Sequence, residues 1–211
     1  MSAFKYHENS FSSTIKMQVF TLGYQGLTLE TYTETILAAG VGLLIDVREV
    51  PWSYNRKYIK SVLECTMSSA DVGYLHLKEC GNPSANRKSA ASIEECLARY
   101  SAYLEANTDC LDTLSIHIRS AYEAGKPACL TCFEKHPYEC HRSILLNQLS
   151  KRMPELSVTH LIVSNVKTVV VRDLSAGTTS QHNREGVRVT FNIAQEKSQG
   201  ISVQIADLFQ L

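Results

Sequence analysis

The chain has 211 residues, with 21 Lys+Arg against 21 Asp+Glu, 44% hydrophobic and 20% charged residues. That length and balance fit a globular domain able to bury a real core, and argue against a wholly disordered chain or a global basic field for nucleic acid. No apolar run approaches the ~18 residues that a membrane span needs, so no membrane partner is expected.

Residues 1–16 are polar and aperiodic, and are expected to be a loose tail without the apolar stretch of a secretory signal. The seven cysteines are therefore read as reduced thiols of a cytoplasmic protein rather than as a disulfide framework. A short β-rich run at 18–22 ends at Gly23. Thr28 then caps a helix expected to run to Ala38. Residues 41–47, VGLLIDV, form the continuous apolar run of a parallel strand buried on both faces. A loop over 48–60 passes into a helix at 59–67, and a strand follows at 72–77. Residues 80–92 read as a loop.

Ser92 with Glu95 makes a capping box for a helix to about Ala106. Leu111, Leu114, Ile118 and Tyr122 share one face of a helix over 109–124, stopped by Gly125. A strand is expected at 127–131, a helix at about 138–153 and a last strand at 159–163. Strands alternating with helices predict an α/β fold over 17–164: an open, mostly parallel, Rossmann-like sheet flanked by helices. Residues 165–211 are expected to add a small C-terminal β appendage, with strands at 168–171 and 187–193, and a tail.

In such a sheet, ligands bind at the carboxyl edge of the strands. Three constellations fall there. Asp46 and Arg48 leave one strand on the same side, suited either to an anionic ligand or to a structural ion pair. Residues 48–60 carry Arg48, Arg56, Lys57 and Lys60 against Glu49 alone, interleaved with Trp52, Tyr54 and Tyr58. Cations among aromatics suit phosphates and stacked bases, although a packed Trp with solvated charges gives the same pattern. The third runs from Cys132 through Glu134 to Cys140, His141 and Arg142, where a helix begins. A thiol at a helix N-terminus beside His and Arg is a candidate thiolate, and Glu134 a candidate acid or base. Cys132, Cys140 and His141 form an alternative metal set, without a standard zinc spacing. Cys65, Cys96, Cys110 and Cys129 read as packing residues, and Cys80 is left open. A fourth motif, from Gln204 to Phe209, resembles the peptide that docks on bacterial sliding clamps, or is a last strand of the appendage.

Gly23, Asp46-Val47-Arg48 with Pro51 and Ser53, Tyr74 with Leu77, and Cys132-x-Glu134 with Cys140-His141-Arg142 occur in that order. Together they resemble the bacterial and archaeal domain-of-unknown-function family DUF488, over about residues 18–150. Members usually carry His-Ser after the first-strand glycine, where this chain has Tyr24 and Gln25. They tend to have Leu-Gly-Gly near the position of Cys80 and Gly81. The resemblance implies the fold and the site's location, not a reaction or a cofactor.

The leading expectation is a hydrolase or transferase acting on a phosphate-bearing substrate, a nucleotide or nucleic acid. Asp46, Glu134, Cys140 and His141 are its candidate catalytic residues. Arg48, Ser53, Arg56, Tyr74 and Arg142 are its candidate substrate-binding residues. A non-catalytic nucleic-acid binding module and a Cys/His metal or redox sensor are the alternatives.

Overall fold

The computed structural model describes residues 16–163. The tail expected over 1–16 lies outside them but for Lys16. The appendage with its two strands, and the clamp-like motif from Gln204 to Phe209, lie wholly outside.

Strand β1 is Met17–Gly23, β2 is Leu43–Asp46, β3 is Gly73–His76, β4 is Ala128–Cys132 and β5 is Leu156–Leu161. They form one sheet in the order β3-β2-β4-β1-β5, and every pairing is parallel. The sheet expected as mostly parallel is thus wholly parallel among the described residues. Helix α1 is Leu29–Ala38, α2 Lys60–Ser69, α3 Ser84–Ser89, α4 Ile93–Ala106, α5 Asp109–Glu123 and α6 His141–Arg152.

Two helix starts follow from side-chain caps. Thr28 accepts a hydrogen bond from the Thr31 amide, and Ser92 Oγ accepts one from the Glu95 amide at 3.1 Å. Glu95 reaches back to the Ala91 amide at 2.7 Å, one residue before the cap. Three boundaries differ from expectation. Helix α3 occupies part of the stretch read as loop, where Ala85 and Arg87 favour a helical turn after Pro83. The last strand begins at Leu156, because Ser157 and Thr159 are buried with the alternating apolar residues. Pro137–Glu139 is a 3-10 turn, so α6 starts only at His141, with Cys140 as its N-cap residue.

The sheet separates two apolar layers. Tyr32, Ile36, Leu63 and Met67 of α1 and α2 pack on Phe20, Leu22, Leu44 and Cys129. Tyr100, Leu104, Leu114, Ile118, Leu145 and Leu149 of α4, α5 and α6 pack on Val19, Ile45, Leu130 and Val158. Each such side chain contributes about 1.5–3 kcal/mol on burial. No helix among the described residues is long and apolar enough to cross a membrane.

The strand order places the site. The chain leaves β1 toward β2 and β3, then returns to lay β4 between β2 and β1. Loops after β1, β2 and β4 therefore diverge around one crevice at the carboxyl edge.

Candidate functional site

Asp46 and Arg48 form a closed pair. Arg48 Nη2 donates to Asp46 Oδ2 at 2.5 Å and Nε to Oδ1 at 2.8 Å. Nη1 donates to Tyr24 Oη at 2.9 Å and to the Tyr58 carbonyl at 2.8 Å, while Tyr74 Oη donates to Asp46 Oδ2 at 2.7 Å. Asp46 is fully buried and Arg48 nearly so. The carboxylate is occupied on both oxygens, and the guanidinium is held between three elements.

Arg142 is also fully buried. Its Nη1 donates to the Glu134 carbonyl at 2.6 Å, Nη2 to the Lys135 carbonyl at 3.1 Å and Nε to Thr21 Oγ1 at 3.4 Å. It ties down the loop after β4 from within. Gly23 sits against the same loop. A Cβ there would lie 1.7 Å from the Glu134 oxygen. Tyr24 and Gln25 continue the pairing through amide bonds to the Cys132 and Phe133 carbonyls, at 3.2 and 2.9 Å.

Cys132, at the end of β4, and Cys140 with His141, at the start of α6, converge with Glu134. One ligand atom from each of these four lies within 4.8 Å of the others. Cys132 Sγ is 3.1 Å from Glu134 Oε2 and 3.7 Å from His141 Nδ1; Cys140 Sγ is 3.8 Å from the same Nδ1. His141 Nε2 lies 2.7 Å from the Val47 carbonyl, which can only accept. The Nε2 proton is thereby assigned, and in the neutral ring the Nδ1 lone pair faces the thiols. The Tyr100 ring meets the imidazole edge-on at 5.1 Å.

Charge and burial act together in the cluster. Burial opposes a Cys140 thiolate, but the Cys132 hydrogen bond and the charges of Arg142 and His141 outweigh it and hold the thiol well below its ordinary pKa. The same Cys140 contact, with burial, pushes the Cys132 thiol well up. Burial, then the nearby Cys140 charge, raises the Glu134 carboxyl. Burial opposes the His141 cation, yet Cys140 overcomes it and raises the imidazole.

Cys132, Glu134 and His141 reach the wall of a cavity of about 750 Å³. Its walls also include Tyr24, Tyr58, Ser53, Asn82 and Arg87, with Trp52, Tyr54 and Phe133. Tyr24 and Tyr58 stack at 4.3 Å, and Trp52 meets Tyr54 edge-on at 4.7 Å. Trp52 is 53% exposed and Tyr54 94%. Arg87 pairs with Glu49 at 2.8 Å.

Of the residues singled out from sequence, Arg48, Trp52, Ser53, Tyr54, Tyr58, Cys132, Glu134 and His141 line the cavity. Cys140 is buried behind His141, and Asp46 and Tyr74 lie behind Arg48. Arg56 is exposed on the 3-10 turn Arg56–Tyr58. The basic character of residues 48–60 is dispersed: Arg48 is paired inside, and Lys57 lies 3.5 Å from Glu30. Among the other cysteines, Cys80 is buried with its thiol 3.5 Å from the Cys110 carbonyl, whereas Cys65 is exposed and not a packing residue. Sequence reasoning did not single out Tyr24, Asn82 or Phe133 for the site. Their proximity to Gly23, Gly81 and Cys132 was the available signal.

The model of a family described as domain of unknown function DUF488 matches residues 28–149, more than half of the chain. No curated protein and no solved structure matches.

Proposed function

This chain belongs to the DUF488 family, and from that premise and the site geometry we propose an enzyme of hydrolase or transferase class acting on a phosphate-bearing nucleotide or nucleic-acid end. The observation that carries this reading is the opening of the Cys132–Glu134–His141 cluster into an aromatic-walled cavity. Such a cavity joins a stacking surface to groups that move protons.

Glu134 takes the proton of the attacking water or hydroxyl and returns it to the leaving group. Its raised pKa, caused first by burial, suits both directions. Trp52 and Tyr54 stack on the base; Ser53, Asn82 and Arg87 meet the polar part of the substrate, and Arg56 stands at the outer rim. Asp46, Arg48, Tyr74 and Arg142 act as positioning residues, since their polar atoms are taken up by one another and by backbone carbonyls.

The test is turnover of bis-p-nitrophenyl phosphate, nucleoside 5′-phosphates and a single-stranded oligonucleotide by wild type and Glu134→Gln. The expected result is turnover of at least one substrate, reduced about 100-fold or more in the variant. No turnover of any, or an unaffected variant, overturns the reading. The exposure of Trp52 and Tyr54 favours the second reading, a nucleic-acid binding module. Salt-sensitive oligonucleotide binding without turnover would select it.

A further inference from the structure

We infer that Cys132, Cys140, His141 and Glu134 form a binding site for one divalent transition metal of the zinc type. This goes beyond the enzymatic reading and is testable without any substrate.

The spacing is that of a coordination sphere. Zinc bonds of about 2.3 Å to sulfur and about 2.0–2.1 Å to nitrogen or oxygen put tetrahedral donors about 3.5 Å apart. The three contacts in the cluster are 3.1, 3.7 and 3.8 Å, and all four donors fall within 4.8 Å. Cys132 is the last residue of a strand buried throughout, and Cys140 and His141 open a helix packed on that sheet. Three donors are thus held by regular elements before any metal arrives.

The outer contacts match as well. A metal-bound imidazole commonly donates its second N–H to a carbonyl, which orients the ring. His141 does this through Nε2 to Val47, leaving Nδ1 aimed at both thiols. Two thiols and a carboxyl crowded together also call for positive charge. The nearby guanidiniums do not supply a bonded partner: Arg142 is spent on carbonyls and Thr21, Arg48 on Asp46, Tyr24 and the Tyr58 carbonyl. A dication replaces the proton of Cys132 and the one held by the Cys140–His141 pair, which leave to solvent, and the mixed sulfur, nitrogen and oxygen set suits zinc over magnesium or calcium. Glu134 is the half-buried member on the cavity wall, so it is the one ligand that water can displace, which frees its carboxylate for the proton transfer assigned to it in the enzymatic reading.

The experiment is elemental analysis of the full chain purified without chelator, and again after stripping and reloading with Zn²⁺. Spectra recorded during Co²⁺ titration report thiolate ligation directly. About one zinc per chain and a cobalt–thiolate charge-transfer band are expected. Both should be lost in Cys140→Ser and His141→Ala and kept in Cys65→Ser, whose thiol is exposed and outside the cluster. Circular dichroism shows whether each variant is folded. Should Cys140→Ser not fold, the cobalt band of wild type still decides. Background metal with no thiolate band, metal retained equally in folded variants, or a Cys132–Cys140 disulfide in the purified protein each overturns the site. Metal bound without turnover overturns the enzymatic reading alone; turnover without metal overturns this inference alone.

Discussion

The imidazole of His141 bonds through Nε2 to the carbonyl of Val47 at 2.7 Å, across 94 residues of chain. That single bond joins the start of α6 to the end of β2 and turns the other ring nitrogen toward two thiols. It predicts a structural as well as a functional cost. His141→Ala leaves a buried carbonyl unpaired and removes the ring that faces Tyr100. A loss of about 2–3 kcal/mol is expected, or roughly 4–10 °C in melting temperature. A melt of the apo protein indistinguishable from wild type would contradict it.

The Asp46–Arg48 pair is closed on itself and buried, so breaking it strands a charge. Asp46→Ala is expected to cost about 3–5 kcal/mol in urea unfolding. Tyr74→Phe, which removes one hydrogen bond to the same carboxylate, should cost about 1 kcal/mol. An Asp46→Ala loss no larger than that of Tyr74→Phe would show that the pair is not structural.

Gly23 approaches the loop that carries Glu134 more closely than any side chain permits. Gly23→Ala should cost about 1–3 kcal/mol, displace the Glu134 carbonyl from Arg142 and abolish turnover. Gly40, at φ +65° with open space around it, is a control. Gly40→Ala should cost about 1 kcal/mol from backbone strain alone and leave the site intact. Equal activity in the two variants would refute the close-approach argument.

His160 Nδ1 shares a hydrogen bond with the Thr21 hydroxyl at 2.7 Å, while Arg142 Nε donates to the same hydroxyl. Burial, reinforced by the charge of Arg142, pushes this imidazole down to about 4. An unfolded histidine titrates near 6.5. Between those values the unfolded chain binds a proton that the folded chain refuses. The contribution of His160 is thus complete above about pH 6.5 and is lost as pH falls toward 4, by up to about 3 kcal/mol. Urea unfolding at pH 7, 5 and 4 should show wild type losing more stability than His160→Gln. Parallel losses would contradict the assignment.

Trp52 is the chain's one tryptophan, and it stands on the cavity wall. Its fluorescence should change when a nucleoside phosphate enters. Trp52→Ala should weaken binding roughly tenfold, at about 1–3 kcal/mol per stacked base, with no change in unfolding midpoint. Titration by nucleotide that leaves the emission unchanged would place the ligand elsewhere.

Local patterns were sufficient for most of the architecture. Apolar runs marked the strands at 18–22, 41–47 and 127–131, and the cap at Ser92 and Glu95 marked α4, because each depends on side chains a few residues apart. Alternation was enough to place Asp46 and Arg48 on one side of β2, and the break after β4 to put Cys140 at a helix start. The late start of α6 was hidden because Pro137 is equally at home in a 3-10 turn and in a first helical turn.

Partnership was decided only by the folded chain. A free and a committed arginine look alike in sequence, yet Arg48 and Arg142 turn inward, since the register of β1, β2 and β4 brings carboxylate, carbonyl and hydroxyl acceptors to them. Likewise the spacing from Cys132 to Cys140 says nothing of distance. The loop between them folds back because Arg142 and Gly23 hold it, and the two thiols, Glu134 and His141 meet at one point. The sequence by itself determined which residues stand at the carboxyl edge. The tertiary structure decided which of them neutralise one another and which remain to face the cavity, because hydrogen-bond satisfaction of buried charge depends on neighbours far apart in the chain.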